Sequence, residues 1–201
     1  RCRPKPHPHR LQRLSPAPGR RVFHQLPDWS TTQVKHVLSL PAEWKAGEKY
    51  PVIVEYAGNR FFHKYCYSTG RTEDTNLAYG LARGEKFIVL NLPFISTDGQ
   101  REQLDGWGDI DRAVAYCLAA VAEACEQFGG DPKAVFFTGF SRGSYAANYL
   151  ALRTVEIAAS WRGFICSGNP GAAWTAADNG WSDVGIGWND RAARLRAPWF
   201  Y

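Results

Sequence analysis

No methionine occurs among the 201 residues, not even at position 1. The sequence is therefore expected to be a processed chain or a piece of a longer one. No apolar run approaches the ~20 residues of a membrane-spanning helix, and no signal peptide is visible. The five cysteines, Cys2, Cys66, Cys117, Cys125 and Cys166, are odd in number and irregularly spaced. They do not describe a disulfide framework. Cys117 and Cys125 fall on one predicted helix, where their spacing separates them by about 12 Å along its axis, too far for a bridge to each other. Bridges involving Cys2, Cys66 or Cys166 stay open.

No acidic residue precedes Asp28. Seven cations lie before it: Arg1, Arg3, Lys5, Arg10, Arg13, Arg20 and Arg21. The net charge of the chain is +5, so removing those seven leaves −2 for the rest. A nucleic-acid-binding protein needs a patterned basic face or a recognisable module, and neither is present. Residues 1–19 also hold Pro4, Pro6, Pro8, Pro16 and Pro18. They read as a basic, flexible, proline-rich arm. Cys2, His7 and His9 within it have no second ligand pair at zinc-type spacing, so no metal is expected. Hydrophobic content of 45% and a length of 201 residues suit one domain with a sizeable core. The eight tryptophans read first as part of that core.

Along the chain, 22–24 is a short strand and 32–40 a half-buried one, with His24 and His36 expected at the surface or rim. Residues 50–56 and 86–93 are continuous apolar runs, the pattern of central strands covered on both faces. Between them, 59–85 reads as loop with a short helix near 77–82. Asp109 caps the clearest helix, whose stripe is Ile110, Val114, Cys117, Leu118, Val121, Cys125 and Phe128, and Gly129 and Gly130 stop it. An apolar strand then leads to a helix ending near 153. Residues 161–167 are a strand, 168–187 a loop, 190–195 a short helix, and 197–201 the start of one more strand. Strands alternating with helices imply an α/β three-layer sandwich around a mostly parallel sheet.

The stretch of chemical interest is Ala134-Val135-Phe136-Phe137-Thr138-Gly139-Phe140-Ser141-Arg142-Gly143-Ser144. An apolar strand runs into Gly-x-Ser-x-Gly and small residues follow, the context of a nucleophile elbow. A serine hydroxyl attacks only if a base takes its proton and a tight turn presents its oxygen. Gly139 and Gly143 permit such a turn, and Ser144, Ala146 and Ala147 keep the next helix slim. Acyl transfer also needs donors for the developing oxyanion. The Arg142 N–H would supply one, and the turn Ala57-Gly58-Asn59 after the earlier strand the second. Glu55 at the end of that strand reads either as a substrate contact or as a structural hydrogen-bonder.

These pieces, with Lys49-Tyr50-Pro51-Val52-Ile53-Val54 and Gly130-Asp131-Pro132-Lys133-Ala134-Val135, resemble the α/β-hydrolases over roughly residues 32–201. The resemblance is to the esterase branch that includes polyhydroxybutyrate-depolymerase-like and feruloyl-esterase-like proteins. It implies Ser141 as nucleophile, an oxyanion hole from Gly58, Asn59 and Arg142, and no metal or organic cofactor. The substrate would be a small-molecule or polymeric ester. Two departures stand out. The usual His-Gly pair of the oxyanion loop is Ala57-Gly58, and Arg142 holds a position more often small or aromatic.

The base is what is missing. In this fold the triad follows the order Ser, acid, His, and the five histidines, His7, His9, His24, His36 and His63, all precede Ser141. The expectation is a hydrolase domain over 20–201 that lacks its final strands, with acid and His beyond Tyr201. Alternatives are Asp178, Asp183 or Asp190 as an acid placed early, and His63 as a substitute base. A further alternative is a non-catalytic α/β-hydrolase-like binding domain. The loop 59–80 with Trp174, Trp181 and Trp188 is the expected wall of the cleft.

Overall fold

Short apolar runs bury best as strands when both faces of a sheet are covered. A computed structural model describes residues 11, 15–62, 67–168 and 187–200, without the side chains of Tyr67 and Trp188. The strands are β1 (Arg21–His24), β2 (His36–Ser39), β3 (Tyr50–Tyr56), β4 (Phe61–Phe62), β5 (Tyr67–Ser68), β6 (Ile88–Leu92), β7 (Gly130–Phe140), β8 (Gly163–Ser167) and β9 (Trp199–Phe200). The helices are α1 (Leu77–Ala82), α2 (Ile110–Gln127), α3 (Arg142–Tyr149), α4 (Val155–Ala159) and α5 (Trp188–Ala192). Most of the expected arm, together with Cys2, Cys66, His63, Trp174, Trp181, Asp178 and Asp183, lies outside the described residues.

Seven strands form one sheet in the order β1-β2-β6-β3-β7-β8-β9, and β4 pairs with β5 alone. From β6 to β9 every pairing is parallel, while β2 runs antiparallel to both β1 and β6. Strand alternation sorts the side chains to two faces. Val52, Val54 and Tyr56 of β3 join Ile88, Leu90, Leu92, Val135 and Phe137 in the larger core, beneath α2 and α3. Ile53 and Val89 point the other way and pack with Ala78 and Ala82 of α1, backed by Phe87 and Phe136. The chain thus forms the three layers expected.

Asp109 caps α2 by accepting from the Arg112 N–H at 3.0 Å. The buried face of α2 is Ile110, Ala113, Val114, Tyr116, Cys117, Ala120 and Ala124. Small alanines let the helix lie close to the sheet, so Leu118, Val121 and Cys125 sit at its flank instead of facing the sheet squarely. Cys117 is buried and Cys125 half-buried, and with Cys166 they are free thiols.

Three expectations change. The strand foreseen over 32–40 begins only at His36, because the segment before it is held by side-chain bonds. Gln25 Nε2 donates to the carbonyls of Trp29, Thr32 and Val34, and Thr32 Oγ1 donates to Trp29 O while accepting from Val34 N. His36 is not at the rim; it is 1% exposed. Being flanked by β1 and β6 and covered by α2, its ring meets Tyr116 Oη at 2.9 Å from Nδ1. Finally, α3 stops at Tyr149, short of 153. The carbonyls of Ala151 and Leu152 are taken by Trp161 Nε1 and Arg194 Nη1 instead of by a further helical turn.

Candidate active site

In this sheet the chain leaves β3 for β6 on one side, then returns past it to β7 on the other. Open α/β sheets bind ligands outside the carboxyl ends of the strands at such a reversal. The two segments that emerge there are 57–59 after β3 and 141–143 after β7. A cleft of about 620 Å³ opens beside them, lined by Glu55, Gly58, Phe140 and Ser167 and by the loop from Ser68 to Leu77. Of the wall foreseen over 59–80, residues 68–77 line the cleft, while Trp174, Trp181 and the Trp188 side chain lie outside what is described. Ser141 itself is not among the lining residues of this cleft; its neighbours Phe140 and Gly58 are. A second cavity of about 690 Å³ lies between β1 and residues 101–104, and neither segment borders it.

Ser141 takes φ 53° and ψ −117°. This region is nearly closed to residues with a side chain, and occupancy costs about 1–3 kcal/mol unless the surroundings enforce it. Its surroundings do. Ser141 N donates to Ser167 O at 3.2 Å, and Ser141 O accepts from Ser144 N and Tyr145 N at 2.8 and 3.1 Å. Ser144 Oγ adds a bond to Gly168 O at 2.9 Å. A Cβ on Gly139 would strike the backbone of Gly143, and one on Gly143 would strike Tyr56 O. Both glycines are thus required by close backbone approach, as the sequence implied.

Gly58 is buried beside the serine. A Cβ placed on it would lie 3.5 Å from Ser141 Cβ and 3.4 Å from Phe140 O. Asn59 Oδ1 accepts from Gly106 N at 3.2 Å, tying this loop to residues 103–106. Among the described residues, the N–H groups of Gly58, Asn59 and Arg142 meet no acceptor. Ser141, Arg142, Gly58 and Asn59 are therefore brought together.

Arg142 was picked out for its backbone; its side chain is the feature that sequence reasoning missed. The guanidinium is fully buried. It donates from Nε to Ala57 O (3.4 Å), from Nη2 to Gly58 O (3.1 Å), and from Nη1 to Gln103 O (3.1 Å) and Gly106 O (2.7 Å). Its carbon lies 4.1 Å over the Phe94 ring. Burial pulls its pKa down to about 9. The signal was present as an arginine where a small residue is usual.

Glu55 turns out to be structural. Its carboxylate accepts from Leu77 N (3.1 Å), Ala78 N (2.9 Å) and Asn91 Nδ2 (2.8 Å), holding the start of α1 to the sheet. Burial raises its pKa, and these bonds oppose that rise. Asp190 stands exposed in the first turn of α5, while Asp178, Asp183 and His63 are outside the described residues. The two described histidines are occupied elsewhere. His24 Nε2 meets Glu123 Oε2 at 2.7 Å, and His36 meets Tyr116. On β1 and β2 they stand four and three strand spacings from β7, about 19 and 14 Å.

No protein-family profile matches the sequence, and no curated protein matches it. Solved structures do. The AtxE2 isopeptidase is 16% identical over 90% of this chain and 31% of its own, with a TM-score of 0.56. A protein described as a dipeptidyl aminopeptidase IV from Bacteroides ovatus is 17% identical over 88% and 26%, with a TM-score of 0.56. The acylaminoacyl peptidase of Pyrococcus horikoshii is 17% identical over 90% and 30%, with a TM-score of 0.51. The chain thus spans about a third or less of the length of these three. No helix among the described residues is long and apolar enough to cross a membrane. With its mostly parallel sheet and helices on both faces, the chain has the α/β-hydrolase fold.

Proposed function

We propose that the chain carries the nucleophile and oxyanion donors of a serine hydrolase acting on carboxylic esters. The observation that supports this most is the backbone of Ser141, held at φ 53° and ψ −117° between two glycines that admit no side chain. Strain of that kind persists where the surroundings over-determine it and presents the hydroxyl clear of the sheet.

In this reading Ser141 Oγ bonds to the ester carbonyl carbon, and the π pair moves onto the oxygen. The Arg142 N–H and an N–H of Gly58 or Asn59 stabilise that charge by donating hydrogen bonds to the oxygen. Collapse breaks the bond to the alkoxy oxygen, which leaves as alcohol with the proton taken from Ser141. Water then attacks the acyl-enzyme and releases the acid. The proton passes through a base. His24 and His36 are held three or more strands away, so a histidine base would come from residues other than those described.

The test is hydrolysis of p-nitrophenyl esters of graded acyl length by the full-length protein. The reading expects turnover that Ser141→Ala lowers by at least about 10³-fold. Turnover that Ser141→Ala leaves unchanged would overturn Ser141 as the nucleophile, and no turnover of any ester or of matched amides would favour a non-catalytic binding domain.

A further inference from the structure

Among the described residues, the hydrogen bonds of the Arg142 side chain all go to carbonyls, Ala57 O, Gly58 O, Gln103 O and Gly106 O, with the charges of Glu102 and Asp105 acting on it from outside that set. A peptide unit is planar and trans, so its N–H points opposite to the C=O of the preceding residue. The carbonyl of Ala57 shares its plane with the N–H of Gly58, and that of Gly58 shares its plane with the N–H of Asn59. Those two N–H groups are the candidate oxyanion donors contributed by this loop. The guanidinium therefore grips both planes by their far ends and turns both N–H groups away from itself. It does so from the residue whose own N–H is the remaining donor. Its fork is rigid, and the Phe94 ring 4.1 Å below limits how it can tilt.

We propose that the Arg142 side chain is a positioning residue that sets the direction of the Gly58 and Asn59 N–H groups relative to Ser141. The two halves of the oxyanion site are thereby fixed by one side chain. This rests on the reading of Ser141 as nucleophile. A loop released by about 1 Å would forfeit interactions made only in the transition state, on the order of 10²-fold in rate. Lysine cannot reproduce the fork, because its ammonium is a single point of attachment.

The experiment uses the full-length protein and its Arg142→Lys, Arg142→Met and Phe94→Leu variants. Three quantities are read: kcat and KM on the best ester, affinity for a trifluoromethyl ketone that adds to the serine as an oxyanion, and fluorophosphonate labelling. Circular dichroism reports folding. Arg142→Lys is expected to lower kcat and ketone affinity together, by about 10- to 100-fold, with KM within about threefold. Phe94→Leu, which loosens the seat and keeps the guanidinium, should show the same pattern at a few-fold. Folded Arg142→Lys with unchanged kcat and ketone affinity overturns the proposal, as does a rise in KM alone. If neither Arg142 variant folds, Phe94→Leu decides, and unchanged ketone affinity there overturns it. A wild-type protein that does not label at Ser141 instead sinks the hydrolase reading itself.

Discussion

Gly143 faces the carbonyl oxygen of Tyr56 so closely that any side chain on it would overlap that oxygen. The start of α3 thereby sits directly on the end of β3, which is how Ser141 and Gly58 become neighbours. Overlap with a backbone oxygen is relieved only by moving a helix or a strand. Gly143→Ala and Gly139→Ala are each expected to cost about 3 kcal/mol or more, read as a fall in the urea midpoint. Gly58→Ala meets ordinary contacts only, and should stay within about 1 kcal/mol of wild type.

The φ of 53° at Ser141 predicts an inverted order of stability among its variants. Glycine enters this region freely and alanine does not. Ser141→Gly should melt above Ser141→Ala, by a difference of about 1 kcal/mol once the entropy of the unfolded glycine is set against the relief of strain. Differential scanning calorimetry of the two variants checks the order. Equal melting temperatures would mean the turn is not strained.

The buried carboxylate of Glu55 accepts two hydrogen bonds from the start of α1 and one from Asn91 of β6, tying the helix to the sheet. Glu55→Ala leaves Leu77 N, Ala78 N and Asn91 Nδ2 without that acceptor, and each unsatisfied group costs about 1 kcal/mol or more. A loss of about 3 kcal/mol is expected, with faster amide exchange across α1 than across α2. Uniform acceleration across both helices would contradict this assignment.

Buried His36 and half-buried Glu102 pull the pH dependence of stability in opposite directions. His36 is lowered to about 3 by burial and by nearby His24. Glu102 is raised to about 7, chiefly by burial. Below pH 6.5 the unfolded His36 binds a proton that the folded one refuses, so its contribution falls as pH drops towards 3. Glu102 binds its proton in the folded state first, so its contribution falls as pH rises from 4.5 to 7. Between about 4.5 and 6.5 the slopes oppose each other, each roughly 1.4 kcal/mol per pH unit at most. Glu102→Gln should therefore lose stability faster than wild type as pH falls through that window. His36→Gln should gain relative to wild type over the same range. Urea titrations at several pH values read both differences, and parallel curves for all three proteins would contradict the shifted titration of these groups.

Much of the fold was legible because its signals are local. Residues 50–56 form β3 with the bounds that the apolar run implied, and α1 occupies 77–82 as read. The glycines around Ser141 announced the turn because backbone proximity leaves no other residue type. What was not legible depends on distant partners. Nothing around His36 reveals Tyr116, and nothing around residues 32–35 shows that Gln25 holds their backbone out of the strand. The buried guanidinium of Arg142 is the strongest case. A charged residue beside a serine reads as a surface group, and only the carbonyls of residues 57, 58, 103 and 106, gathered by the sheet order, make burial tolerable.

The central claim is that Ser141 is a nucleophile presented by its turn. Fluorophosphonate treatment of the full-length protein, followed by proteolysis and mass mapping, tests it most directly. The account predicts a single covalent adduct on the peptide that contains Ser141, absent from Ser141→Ala. No adduct, or an adduct on another residue that persists in Ser141→Ala, would contradict it.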